Sequence, residues 1–271
     1  MKTLLTLQSS VLHGYVGNDS AAVIYPSLGI EIARIDTINL TAHPGHLTEA
    51  AAPLSDTRLQ ELLQGFCSLP AAASLKAVHS GYLATSAQAT CLAACLSALR
   101  KSSDSPVLYL LDPVLGDGGR FYVDEAIASV MRDSLLPQAQ IITPNAFELS
   151  ILSGKRITDA NSAIEAGRDL LQSGPDICLA TGIKTADAIS DILILKDDRS
   201  YQFRAPAHKD GVSGAGDCLA ALFFGLYLAG SDAKIAAEQA SITTRHIMSK
   251  ATDTRDMPLF SNRHLFRIDT T

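Results

Sequence analysis

The chain has 271 residues, with 22 Lys or Arg against 28 Asp or Glu, a formal net charge of −6. A hydrophobic share of 47% and a charged share of 18% exclude intrinsic disorder. The acidic balance, without clustered Lys and Arg, excludes a broad nucleic-acid surface. The opening MKTLLTLQSS carries only a short alternating apolar run. That is too little for a signal peptide or a membrane span, so a cytoplasmic chain that meets no membrane is expected.

In chain order, short apolar runs alternate with segments of helical periodicity. Residues 2–7 and 31–37 read as strands, 56–66 as a helix, 76–79 as a strand and 86–101 as a helix. A strand at 107–111 is followed by a helix at 124–134, a strand at 140–142, a helix at 160–172 and a strand at 177–180. Residues 191–196 and 200–204, joined by Asp197-Asp198-Arg199, form a hairpin, and 215–229 and 233–248 are helices. Residues 52–54 and 102–106 read as loops, and the tail after Asp253 as polar surface. Apolar runs bounded by turns suit strands buried on both faces of a parallel sheet. Strand–helix alternation implies right-handed βαβ units. The expected fold is α/β: a single domain over residues 1–271, a three-layer α/β/α sandwich with a mostly parallel central sheet. Ligands in such a sheet sit beyond the carboxyl ends of the strands. The five cysteines, odd in number and irregularly spaced, are no disulfide framework. Cys91 and Cys95, four apart in an apolar helix, read as buried side chains in preference to a zinc pair.

The strongest local signal is Asp210-Gly211-Val212-Ser213-Gly214-Ala215-Gly216-Asp217, which leads into an apolar helix. Gly214 and Gly216 let the backbone turn closely around a ligand. A buried helix start offers unpaired N–H groups and partial positive charge to an anion. Asp217 at that end reads either as a cap or as a base whose pKa the helix depresses, able to take a proton from a hydroxyl. Asp112 ends an apolar strand, where a carboxylate needs a cation or donor. Asn145 and Glu148, three apart at a helix start, share one face. Such oxygen donors suit Mg²⁺ held partly through waters and phosphates. Walker A and Gly-x-Gly-x-x-Gly patterns are absent.

Gly214-Ala215-Gly216-Asp217 resembles the anion-hole motif of the ribokinase superfamily. Four further stretches resemble the pyridoxal kinases within it: Gln8-Ser9 with Gly14-Tyr15-Val16-Gly17-Asn18, Ser80-Gly81-Tyr82-Leu83, the run from Asp112 to Asp117 with Tyr122-Val123, and Ile142-Thr143-Pro144-Asn145 with Glu148. The resemblance implies a ribokinase-like fold that transfers the ATP γ-phosphoryl group to the 5′-hydroxymethyl of pyridoxal. It assigns Asp217 as base at the substrate, and the N–H groups of Gly214, Ala215 and Gly216 as the anion hole, with Ser213 beside the nucleotide. Ser9 is placed at the pyridine ring, with Val16 and Tyr82 packed on it and His43 near it. Asp112, Thr143 and Glu148 shape the metal and phosphate region, Glu148 and Asn145 lie near the nucleotide, and Thr181 with Gly182 contacts the ATP phosphates. Asp117 and Tyr122 belong to a lid whose Gly118 and Gly119 make it mobile. Mg²⁺, a K⁺ or Na⁺ ion and a homodimer follow from the same resemblance. After His43 the family continues with Thr, a variable residue and Tyr, whereas this chain has Pro44, Gly45 and His46. Lys184 and Lys209 read as solvated in preference to phosphate contacts. The nearest rival is a hydroxymethylpyrimidine kinase, whose first strand is typically followed by a Gly/Ser-rich segment. A non-catalytic pyridoxal or nucleotide binder is the rival of another class.

Overall fold

The structure, a computed structural model, describes residues 2–43, 51–102, 106–184, 188–206, 212–251 and 256–267. The first half runs β1 (Lys2–Val11), α1 (Gly17–Ser27), β2 (Ile30–Leu40), β3 (Ala51–Pro53), α2 (Asp56–Cys67), α3 (Pro70–Ala73), β4 (Leu75–Ser80), α4 (Ser86–Ser102) and β5 (Leu108–Leu111). It continues through β6 (Gly116–Asp117), β7 (Arg120–Phe121), α5 (Glu125–Val130), β8 (Ile141–Ile142), α6 (Ala146–Ser153) and α7 (Ala160–Leu171). The last elements are β9 (Ile177–Lys184), β10 (Ala188–Leu195), β11 (Ser200–Pro206), α8 (Ala215–Ala229) and α9 (Ala233–Met248).

Nine strands form one sheet in the order β11-β10-β9-β8-β5-β4-β1-β2-β3. From β2 to β9 every pairing is parallel; β3, β10 and β11 add antiparallel edges. β2 lies on one side of β1 and β4 on the other, so the strand order reverses at β1. That is where a doubly wound sheet opens a crevice at its carboxyl ends.

Successive residues of β1 face opposite layers, as strand geometry requires. Leu5 and Leu7 pack with Leu59, Leu63, Leu92, Leu96, Ile127 and Leu149, drawn from α2, α4, α5 and α6. Leu4 packs with Ile24, Tyr25, Phe223, Phe224, Ala237 and Ala240, drawn from α1, α8 and α9. α8 is apolar nearly all round and lies between α1 and α9, which fits its burial. The three-layer α/β/α arrangement expected from the sequence is therefore present.

Several elements differ from the sequence reading. Residues 52–54 are not simply a loop: β3 pairs antiparallel with β2, and Pro53 fits there because an edge strand tolerates a missing N–H. α1 was not anticipated. Its buried face is made of Gly17, Asn18, Ser20 and Ala21 before Ile24 and Tyr25, so it carries no apolar stripe. The helix expected over 124–134 ends at Val130 and widens into a π turn over Met131–Leu135. Cys95 is buried with its Sγ 3.7 Å from Cys67 Sγ, while Cys91 is only half-buried; all five cysteines are free thiols.

A buried polar cluster underpins the carboxyl end of β1. Gln8 Nε2 donates to Thr6 Oγ1 at 2.9 Å, Thr6 Oγ1 donates to Asn18 Oδ1 at 2.9 Å, and Tyr25 OH lies 2.8 Å from His79 Nδ1. Burial pushes His79 down to about 3, so it is held neutral. The unfolded chain binds a proton near pH 6.5 that the folded chain refuses. Stability is therefore full above about pH 6.5 and falls as the pH drops from there toward 3. Urea midpoints measured from pH 7 to 4 should fall less steeply in His79→Asn, which has no ring to protonate.

Candidate active site

The candidate groups converge at the carboxyl ends of β1, β4, β5, β8 and β9 and at the start of α8. Gly214 caps α8 in the left-handed conformation, φ 84°, and no side chain caps that helix start. A Cβ on Gly214 would fall on the carbonyl oxygen of Tyr15. This close approach seats the anion-hole turn on the loop after β1. In that loop, Gly17 has φ 49°, and a Cβ there would reach Ser9 Oγ at 2.6 Å. The Gly17 amide faces the Asp217 carboxyl and, with the Asp217 amide itself, favours its charged form. Ser9, Val16, Gly17, Gly214 and Asp217 are thus one connected unit.

Asp217 is not depressed as its helix position suggested. Burial pushes it up to about 6, and the two amide donors only partly offset this. The helix start is a local influence, whereas desolvation comes from both packed layers. A carboxyl near 6 is better matched to proton transfer near neutral pH than a strongly acidic one.

Asp112 lies close enough to repel it. Burial first, then the Asp217 charge, raises Asp112 to about 7, while Thr143 Oγ1 donates to Asp112 Oδ1 at 2.8 Å. Glu148 is also pushed well up by burial and by Asp112. Its Oε2 accepts from Asn145 N at 2.9 Å and its Oε1 from Leu115 N at 3.1 Å. Two buried carboxyls, Asp112 and Glu148, with the half-buried Asp217 close by, are relieved by a cation. Among the described residues no group of three His, Cys, Asp or Glu side chains forms a complete metal site. Two carboxylates with the Thr143 hydroxyl suit Mg²⁺, which completes its shell with water and phosphate oxygens and rarely takes an all-protein cage.

Asn145 has a double structural task. Its Oδ1 accepts from Phe147 N and Glu148 N, completing a capping box on α6, and its Nδ2 donates to Gly116 O at 2.8 Å. Asn145→Ala should lower stability by about 1–2 kcal/mol, read from thermal unfolding, and release the β6–β7 hairpin. The segment expected as a loop is thus a short hairpin. Gly118 at φ 56° and Gly119 at φ 82° make a tight two-residue turn, and Phe121 stands edge-on to Phe147 with ring centroids 5.0 Å apart. Asp117 is exposed, with its Oδ1 accepting from Gly118 N, and Tyr122 is 56% exposed. Neither is packed into the cluster.

Thr181 pairs with Asn145 through an isolated bridge, and its N–H donates to Pro144 O at 2.9 Å. His43 Nδ1 lies 3.0 Å from Ser213 Oγ, tying the end of β2 to the residue before the anion-hole turn. Tyr82 is half-buried, and its carbonyl accepts from Thr37 Oγ1 at 2.6 Å. Gln88, which the sequence reading passed over, donates to Thr37 O and Leu54 O and accepts from Ala84 N. It fixes the loop that carries Tyr82; a lone Gln in a helix gave no signal of this. Lys184 is exposed at the end of β9. Pro44, Gly45, His46, Lys209, Asp210 and Gly211 lie outside the described residues.

The family model described as phosphomethylpyrimidine kinase matches residues 44–257. A pyridoxal kinase of Granulibacter bethesdensis is 30% identical over 266 residues, 95% of this chain and 93% of that protein. The Arabidopsis thaliana pyridoxal kinase is 32% identical over 233 residues, 82% of this chain and 73% of that protein. The structure of Leishmania donovani pyridoxal kinase in complex with ADP and pyridoxine superposes with a TM-score of 0.91 at 25% identity, covering 99% of this chain and 96% of that one. The Entamoeba histolytica pyridoxal kinase, at 23% identity and a TM-score of 0.93, shares the fold. At the identity and coverage of the Granulibacter bethesdensis and Arabidopsis thaliana relatives, the chain belongs to the pyridoxal kinase family.

Proposed function

We propose that the chain transfers the γ-phosphoryl group of ATP to the 5′-hydroxymethyl of pyridoxal, giving pyridoxal 5′-phosphate, with pyridoxine and pyridoxamine as further acceptors. The observation that carries this is Asp217, in the first turn of α8 beside a helix start that no side chain caps. Asp217 accepts the hydroxyl proton as the oxygen attacks phosphorus. The N–H groups of Gly214, Ala215 and Gly216 take up the charge on the transferring group, as preorganised donors do. Ser9, Val16, His43 and Tyr82 hold the ring; Ser213, Asn145, Glu148, Thr181 and Gly182 line the nucleotide side, with Asp117 and Tyr122 closing over it.

Asp112, Thr143 and Glu148 would hold Mg²⁺, which supplies charge neutralisation between the ATP phosphates. The buried, mutually repelling carboxyls support that reading. A K⁺ or Na⁺ ion near the anion-hole turn, a homodimer, a cytoplasmic location and one kinase domain over residues 1–271 complete it. No helix among the described residues is long and apolar enough to cross a membrane.

Hydroxymethylpyrimidine is the second acceptor to weigh, because the matched family model is described as phosphomethylpyrimidine kinase. The deciding assay supplies Mg-ATP with pyridoxal, pyridoxine, pyridoxamine or hydroxymethylpyrimidine and measures phosphorylated product. Pyridoxal 5′-phosphate formation supports the proposal. Turnover of hydroxymethylpyrimidine alone moves the chain to the rival kinase, and binding of pyridoxal without turnover makes it a binder.

A further inference from the structure

β9 is irregular at one point. Ser190 pairs with Ile183 and Ile192 with Ala180, so Thr181 and Gly182 together face the single residue Asp191. This is a β-bulge, a device that re-aims a side chain and recurs beside active sites. Gly182 takes φ 63° to make it. The bulge removes the Gly182 N–H from the ladder, and Asp191 Oδ1 accepts it at 3.0 Å.

Asp191 is a costly choice for that task. It is 5% exposed, in a strand whose neighbours Ile192, Leu193 and Ile194 are fully buried. A buried carboxylate requires a partner. Arg245, near the end of α9, supplies it: Nη2 lies 2.7 Å from Asp191 Oδ2 and donates to Phe203 O of β11 at 2.9 Å. One guanidinium thus joins α9, β10 and β11 behind the Thr181-Gly182 bulge. On its other side, the bulge is held to the α6 start by the Thr181–Asn145 bridge.

We propose that Asp191 and Arg245 are positioning residues for the nucleotide side of the site, locking the Thr181-Gly182 bulge so that the Thr181 hydroxyl and the local backbone meet the ATP phosphates. This rests on the reading of Thr181 and Gly182 as nucleotide contacts. Neither residue belongs to a motif, because each acts only through the bulge. The pair also neutralises itself, so no net negative charge stands behind a site that receives phosphate.

The test uses the double variant Asp191→Ala/Arg245→Met with Thr181→Val alongside, measuring KM for ATP, KM for pyridoxal, kcat and the thermal midpoint. Arg245→Met alone should melt lowest, since it strands a buried carboxylate, and the double variant should regain much of that stability. KM for ATP should stay raised about tenfold in the double variant, the effect of one lost positioning hydrogen bond, while KM for pyridoxal stays within about twofold. A merely structural pair would recover both stability and KM for ATP in the double variant. If KM for ATP recovers there while Thr181→Val raises it, the positioning role is overturned and the nucleotide reading stands. If Thr181→Val leaves KM for ATP unchanged, the nucleotide reading falls and takes the proposal with it. Should the double variant not fold, Arg245→Lys serves. The lysine nitrogen falls one bond short of the Nη2 position that meets both Asp191 Oδ2 and Phe203 O, so KM for ATP should rise about threefold, and an unchanged value overturns the role.

Discussion

Asp217→Asn is expected to lower kcat by about 10³, with KM for ATP and for pyridoxal changed only a few-fold, because general-base loss typically costs about 10²–10⁴. Asn keeps the size and still presents an oxygen to the Gly17 amide, so the α8 start should stay in place. What it loses is the capacity to take the hydroxyl proton. The pH profile adds an independent signature. Burial raises Asp217 to about 6 and Asp112 to about 7, and the two repel one another. Below those values Asp217 already carries its proton and cannot accept another. In the wild type, kcat/KM for pyridoxal should therefore be level above about pH 7 and fall through the pH 6–7 interval as the coupled pair protonates. Residual turnover in Asp217→Asn should lack that acid limb. A wild-type limb confined below pH 5 would show that Asp217 is not the base in this buried setting.

Gly214→Ala should be the most damaging single methyl in the chain. The backbone there sits at φ 84°, which costs an L-residue about 1–2 kcal/mol. The added carbon would also fall on the Tyr15 carbonyl oxygen, a backbone atom that cannot rotate away. Either the turn lifts off the β1 loop or that loop shifts and takes Gly17, and hence Asp217, with it. Both outcomes misplace the N–H donors, and removing one such donor costs about 10²–10³ in rate. We expect kcat to fall by at least about 10² with the circular dichroism spectrum preserved. An unchanged kcat would mean that the turn does not hold the transferring group.

The two last helices were legible to the residue because their ends are marked locally. Gly214 and Gly230 bracket α8 in left-handed conformations, and Asp232 caps α9 by accepting from Lys234 N. α1 was hidden because its buried face is small and polar, and β3 because three exposed residues carry no alternation. The site divides the same way. Ser9, Asp112, Asn145 and Asp217 stand in contiguous motifs at strand ends or helix starts. Thr37, Gln88, Asp191 and Arg245 reach partners 34 to 54 positions away, and nothing local distinguishes them. The direction of the Asp217 shift was misread for a related reason. The helix start is visible in sequence, but the desolvation that outweighs it is a property of the assembled layers.

The bulge in β9 has a counterpart at the other end of the parallel core. Gln8 pairs with Asp36 and Ser9 with Ile38, so Thr37 is an extra residue in β2, and its hydroxyl reaches the Tyr82 carbonyl. Chain length is therefore as much a part of the site as residue identity. A single-residue deletion at Thr37 would reverse the faces of Ile38, Asn39 and Leu40, since side chains alternate along a strand. A deletion at Gly182 would do the same to Ile183 and Lys184. Side chains around this crevice can be exchanged one at a time, but the residue count of either strand cannot change without rebuilding the wall that it forms.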